Sequence, residues 1–140
     1  LNLLIELQRD LNIAILFIAH DLAVVKHISD DIAVMYLGQI IEYAPADELF
    51  KHAKHPYTQF LLDAIPTADP SIKKTKRRIQ GELPSPVNPP EGCRFQSRCP
   101  FVQDTCNSSI ELSATGKIKT HEVACHFPEE SSQQWRTISP

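Results

Sequence analysis

Cys93, Cys99, Cys106 and Cys125 are the only cysteines in the chain, and all four fall within a 33-residue segment. Four thiols so grouped could bind a soft metal, because thiolate sulfur is a preferred ligand of zinc and of iron–sulfur clusters. The intervening stretches of five, six and eighteen residues do not form the Cys-x2-Cys knuckles of structural zinc. A tetrahedral zinc site would need a local geometry that this spacing does not advertise, although His121 and His126 could stand in as ligands. A cluster takes its four thiolates from irregular loops, and Cys99-Pro100 has the Cys-Pro ending of ferredoxin ligand runs. Arg94 and Arg98 adjoin the first two thiols and would offset the charge of a cluster. Disulfides are a further use of such a set, disfavoured in a reducing compartment.

A second kind of chemistry is available at His20. It follows the seven-residue apolar run Ile13-Ala14-Ile15-Leu16-Phe17-Ile18-Ala19, which lacks polar alternation and predicts a strand buried on both faces of a parallel sheet. His20 would then stand at the strand's carboxyl end, where open α/β sheets bind ligands. An imidazole there can hydrogen-bond a phosphate oxygen and respond to its presence. His27, His52 and His55 read as surface or capping residues.

Those groups need elements to position them. Leu1, Leu4, Leu7 and Leu11 carry the spacing of a helix packed on a sheet, ended by Asp10-Leu11-Asn12. Helix followed by buried strand is an α/β pattern. Asp21 suits an N-cap, with Leu22, Val25 and Ile28 as the apolar stripe of a short helix. Ile32 to Tyr36 reads as a strand, Leu37-Gly38 as its turn, and Gln39 to Tyr43 as the hairpin partner. Pro45 suits the first position of a helix running to about Lys51, with Asp47 and Glu48 early and Lys51 and His52 late, matching the helix dipole. Pro56 suits another helix start, its apolar face formed by Tyr57, Phe60, Leu61, Ala64 and Ile65.

From Thr67 the apolar period stops. Lys73-Lys74-Thr75-Lys76-Arg77-Arg78 reads as a solvated linker, with attraction to an anionic membrane surface as the sharper alternative. Gly81 to Pro90 is proline-rich and must run without helix or central strand. A net charge of -3 over 140 residues gives no field that would favour nucleic acid. The longest apolar run falls short of the roughly 18 residues a membrane span requires. No signal peptide is expected, since the first residues lack a basic start and carry helical spacing, and this argues for a cytoplasmic chain with reduced thiols. The chain opens inside an amphipathic helix and its only methionine is Met35, so a piece of a longer protein is expected. Of its four glycines only Gly116 precedes a lysine, and Glu111 and Ile118 occupy the other key positions of a phosphate-binding loop.

Ala19-His20-Asp21-Leu22-Ala23-Val24-Val25, followed by Ile28-Ser29-Asp30-Asp31-Ile32-Ala33-Val34-Met35-Tyr36-Leu37-Gly38 and Ile41-Glu42, resembles the switch-histidine region of ABC transporter ATPases, nearest to oligopeptide and dipeptide importers. His55-Pro56-Tyr57-Thr58, Leu61-Leu62, Ala64-Ile65-Pro66 and Asp69-Pro70 look like the motif that follows the ATPase core in that family. Gly92-Cys93-Arg94-Phe95, Arg98-Cys99-Pro100, Cys106 and His121-Glu122-Val123-Ala124-Cys125 look like its carboxyl-terminal signature, with Gln96-Ser97 replacing the usual His-Pro. The likeness covers Leu1 to Phe127.

The resemblance implies an α/β fold, the carboxyl-terminal part of a P-loop ABC ATPase domain in residues 1–66. A basic and proline-rich linker (67–91), a loop-rich four-cysteine extension (92–127) and a tail (128–140) would follow. It implies that His20 contacts the γ-phosphate of ATP while a glutamate upstream of Leu1 serves as base, with the P-loop, glutamine loop and signature loop also upstream. It implies Mg-ATP as the nucleotide of the intact subunit, nearer the F-type than the D-type. Some members bind a four-iron cluster through these cysteines, so Cys93, Cys99, Cys106 and Cys125 are its expected ligands. The implied partners are a second ATPase subunit, two membrane permease subunits and an extracytoplasmic peptide-binding protein, at the cytoplasmic face of the membrane. The reading from a different class is a stand-alone metal-binding or regulatory interaction module.

Overall fold

A computed structural model describes residues 1–66, 79, 81–114, 120–128 and 133. The basic run from Lys73 to Arg78 and most of the tail lie outside the described residues. Helix α1 spans Asn2–Leu11 and ends on Asn12 at φ 50°, ψ 46°, the left-handed geometry that asparagine tolerates at a helix C-terminus. No residue of α1 is buried.

Ile13 to Ala19 departs from expectation. It forms no strand, and Leu16 and Ile18 are 90% and 89% exposed. A strand is stable only as one rung of a ladder, and a parallel-sheet strand also needs elements covering both faces. Among the described residues no strand pairs with this run, so its apolar content has nothing to pack against.

The chain becomes regular at Asp21, whose side chain accepts hydrogen bonds from the backbone N–H groups of Ala23 (2.9 Å) and Val24 (3.4 Å) and so caps helix α2 (Leu22–Ile28). Strands β1 (Asp31–Tyr36) and β2 (Gln39–Pro45) pair antiparallel through a turn at Leu37-Gly38, both at positive φ (45° and 76°). Positive φ at both turn residues matches the right-handed twist of the strands. Strand β1 alternates without fault, with Ile32, Val34 and Tyr36 buried. Strand β2 does not. The register shifts between Val34 and Met35, which face Glu42 and Ile40, leaving Ile41 as the extra residue of a bulge. The bulge buries two consecutive residues, Ile41 and Glu42.

Pro45 was expected inside the next helix. It is instead the last residue of β2, paired with Asp31, and helix α3 spans Ala46–His52. The Ala46 N–H donates to the Asp30 carbonyl at 2.8 Å, which holds the strand end in register up to the helix. Helix α4 (Pro56–Asp63) has proline at its first position, where no backbone donor is lost, and His55 as its cap. Two single-turn 3-10 helices (Gln96–Arg98, Asp104–Asn107) and two short strands, β3 (Ser113–Ala114) and β4 (Glu122–Val123), follow. The sheet order is β1-β2-β4-β3, antiparallel throughout.

The cysteine-bearing segment thus shares a sheet with the hairpin, and it shares a core as well. Phe95 is fully buried, edge-on to Tyr36 at 5.3 Å and within 5.4 Å of Tyr57 and 6.2 Å of Phe60. Such tilted contacts between large rings stabilise beyond the area they bury.

Glu42, also fully buried, links the same pieces through polar bonds. It accepts from the backbone N–H groups of Lys54 (2.6 Å) and His55 (3.1 Å), and its Oε1 lies 2.8 Å from His121 Nε2. The other ring nitrogen of His121 lies 3.4 Å from Glu48, whose second oxygen pairs with His52 at 2.9 Å. Replacing Glu42 by Ala removes the shared partner of the Lys54 and His55 N–H groups and of the His121 ring, so Glu42→Ala should lower the unfolding free energy by about 3–5 kcal/mol. Urea denaturation followed by circular dichroism measures this, and a loss below about 1 kcal/mol would show that the donors find other partners.

Candidate functional site

Cys93, Cys99 and Cys125 come from loop positions and Cys106 from the second 3-10 helix, and all four line one cavity. Its remaining wall is mainly aromatic and imidazole: His55, Phe95, Phe101, His126 and Phe127. Several local devices bring the thiols there. The Cys93 N–H donates to the Cys106 carbonyl at 2.9 Å, tying the first and third cysteines directly. Gly92 permits this approach, because at φ 84° it holds a conformation other residues resist, and a Cβ there would overlap the carbonyls of Cys106 and Asn107. Cys125 is delivered by β4, and the Ala124 N–H donates at 2.8 Å to the carbonyl of Ile41, the bulged residue of β2.

None of the four is in a disulfide. Burial pushes the Cys99 thiol up to about 12, and the nearby Cys125, Cys93 and Cys106 sulfurs add to that rise. Burial also raises Cys93, with Cys106 adding to it. Opposing this, the backbone N–H groups of Phe95 and Gln96 donate toward the Cys93 sulfur, and that of Phe101 toward Cys99. These donors favour thiolate. Among the described residues, no three His, Cys, Asp or Glu side chains are grouped to hold a single metal ion.

Not every expected participant is present. Arg94 was expected to offset cluster charge, but its guanidinium donates to the Leu37 carbonyl in the hairpin turn. Neither Arg94 nor Arg98 lines the cavity. His121, considered as a substitute ligand, is held between Glu42 and Glu48 and is likewise absent from the wall. His126 does line the cavity, with Nε2 3.3 Å from the Ser108 carbonyl.

His55 went unnoticed in the sequence beyond its capping role. It is 1% exposed and forms part of the wall. Its Nδ1 accepts from the Tyr57 N–H at 3.0 Å, and burial lowers its pKa to about 4, against a weaker opposing pull from Glu42, so the ring is neutral. The proton must then sit on Nε2, which is buried and has no hydrogen-bond partner among the described residues. Its position before a proline gave only the helix-start signal.

His20 is exposed, in the bend between the apolar run and α2, and takes no part in the cavity. The cap supplied by Asp21 fixes the helix immediately after it.

The raised Cys99 value has a measurable consequence. Thiolate forms about 10²–10³-fold less readily in the folded than in the unfolded chain near pH 8. In metal-free protein, Cys99 should be alkylated by iodoacetamide slower by about that factor in buffer than in urea, with the folded rate still rising above pH 9. Peptide mapping by mass spectrometry reads this out, and equal rates would show an accessible, ordinary thiol.

The family model described as the oligopeptide/dipeptide transporter, C-terminal region, matches residues 41–106. The di/tripeptide transport ATP-binding protein DppF of Pseudomonas aeruginosa is 48% identical, over 93% of this chain and 40% of its own length. The oligopeptide transport ATP-binding protein OppF of Escherichia coli is 51% identical, over 89% of this chain and 37% of its own. The corresponding AppF of Bacillus subtilis is 45% identical, over 91% and 39%. The chain spans about two fifths of the length of these curated relatives. With close to half its residues identical to theirs along nine tenths of its length, the chain is similar to these transport ATP-binding proteins, and residues 41–106 match the oligopeptide/dipeptide transporter C-terminal region.

Proposed function

We propose that the chain is part of the ATP-hydrolysing subunit that powers peptide uptake by an ABC importer. The observation that carries this reading is the identity to three peptide-transport ATP-binding proteins, over stretches that cover most of this chain. Mg-ATP is the nucleotide of the intact subunit. A second ATPase subunit, two permease subunits and an extracytoplasmic peptide-binding protein are the partners, with this chain at the cytoplasmic face of the membrane. Among the described residues no helix is long and apolar enough to cross a membrane, which suits attachment through permeases.

His20 is the switch histidine in this reading. It stands just ahead of a capped helix, exposed and able to donate a hydrogen bond to a terminal phosphate oxygen. A bond formed as the site closes stabilises the charge that develops during hydrolysis. In the full-length subunit, His20→Ala should leave ATP binding intact and slow hydrolysis about 10²–10³-fold, by analogy with lost oxyanion donors. A steady-state phosphate-release assay beside a nucleotide-binding measurement decides it, and wild-type turnover would refute the assignment.

The four cysteines are proposed as ligands of a [4Fe–4S] cluster. What supports this reading is that all four line one cavity, with backbone donors aimed at the Cys93 and Cys99 sulfurs, the surroundings such groups use. A bound cluster supplies negative charge and four iron–sulfur bonds that staple the loops of residues 93–125, as small loop-rich segments generally require. Protein isolated without oxygen should contain iron and acid-labile sulfide in equal amounts, and Cys99→Ser should abolish both and speed proteolysis between Gly92 and Phe127. Stoichiometric zinc without iron would replace the cluster by a zinc site.

A further inference from the structure

His55 presents a polar atom that the protein leaves unanswered. The ring is 1% exposed, its Nδ1 is committed to the Tyr57 N–H at 3.0 Å, and its Nε2–H has no acceptor among the described residues. A buried N–H without an acceptor is destabilising, and native structures rarely keep one without a functional reason. The same ring is a wall of the cavity lined by Cys93, Cys99, Cys106 and Cys125, and none of the other lining residues, Pro56, Phe95, Gln96, Phe101, His126 and Phe127, accepts from its Nε2. A sulfur-rich anion in that cavity would supply what the ring lacks.

The backbone holds the ring firmly in this place. The His55 N–H is fixed by buried Glu42 at 3.1 Å, Pro56 restricts the following turn, and Phe95 packs against the imidazole at 5.8 Å. The ring therefore cannot turn outward to find water without breaking the cap of α4 or its packing on Phe95.

We propose that His55 donates an N–H···S hydrogen bond from Nε2 to a sulfur of the iron–sulfur group held by the four cysteines, and so raises its reduction potential. This rests on the cluster reading above. Hydrogen bonds to sulfur are among the main determinants of such potentials. The added electron increases the charge on sulfur, so the donor stabilises the reduced form more than the oxidised one.

Two substitutions divide the roles of the two ring nitrogens. Asn places an acceptor near the position of Nδ1 and keeps the helix cap, but has nothing at Nε2. Gln reaches the position of Nε2 with an amide donor and sacrifices the cap. The full-length subunit, wild type and both variants, would be loaded anaerobically with ferrous iron and sulfide and titrated redox-potentiometrically by electron paramagnetic resonance. Reduction should become about tenfold less favourable in His55→Asn, about 59 mV for a one-electron couple, with most of the loss restored in His55→Gln. Equal potentials in all three loaded proteins would overturn the assignment while leaving the cluster in place. A loaded wild type with neither variant able to load would put His55 in the folding of the loop and also overturn it. A wild type that takes up no iron and sulfide would overturn the cluster reading, and the inference with it.

Discussion

Glu42 is a carboxylate sealed from solvent at the point where the chain could most easily come apart. A buried anion is tolerated only when its acceptor capacity is filled, and here the donors come from two distant places: the connection between α3 and α4, and the residue preceding β4. One side chain thus fixes the helical segment and the carboxyl-terminal strand to the hairpin. The bulge in β2 is what makes this possible. By inserting Ile41 it turns Glu42 inward and leaves the Ile41 carbonyl for Ala124, so the polar anchor and the strand that leads to Cys125 are set by one irregularity.

The cysteine cavity inherits its geometry from that anchor. His55 is positioned through its own N–H on Glu42, Cys125 through its neighbour on Ile41, and Cys93 and Cys99 through Phe95, the ring between them in sequence and at the centre of the aromatic core. The cavity wall is therefore built by the packing of the hairpin and α4, and a change in that packing would move the thiols. This couples any group bound there to the same core that supports the hairpin beyond His20.

His20 belongs to a different regime. Its local frame is short-range and complete, an Asp21 cap closing a seven-residue helix, but the apolar run before it has no sheet to join among the described residues. Strand identity is a property of neighbours, and so six of the seven residues that read as a core strand stand exposed here, with Ile15 only partly covered.

Elements governed by near neighbours were legible in the sequence. The cap at Asp21, the Leu37-Gly38 turn, the alternation of Ile32, Val34 and Tyr36, and the proline start of α4 each depend on residues within a few positions of one another. The grouping of four cysteines was equally visible as composition, though spacing left zinc and a cluster both open. What only the tertiary structure decided were pairings across long separations: Glu42 with His121, Arg94 with Leu37, Phe95 with Tyr36, and the strand β4 beside β2. Periodicity encodes which face of an element is apolar, but not which distant face will meet it. For that reason His121, weighed only as a substitute ligand, is a buried partner of carboxylates, while His55 read as a surface or capping residue and also walls the cavity.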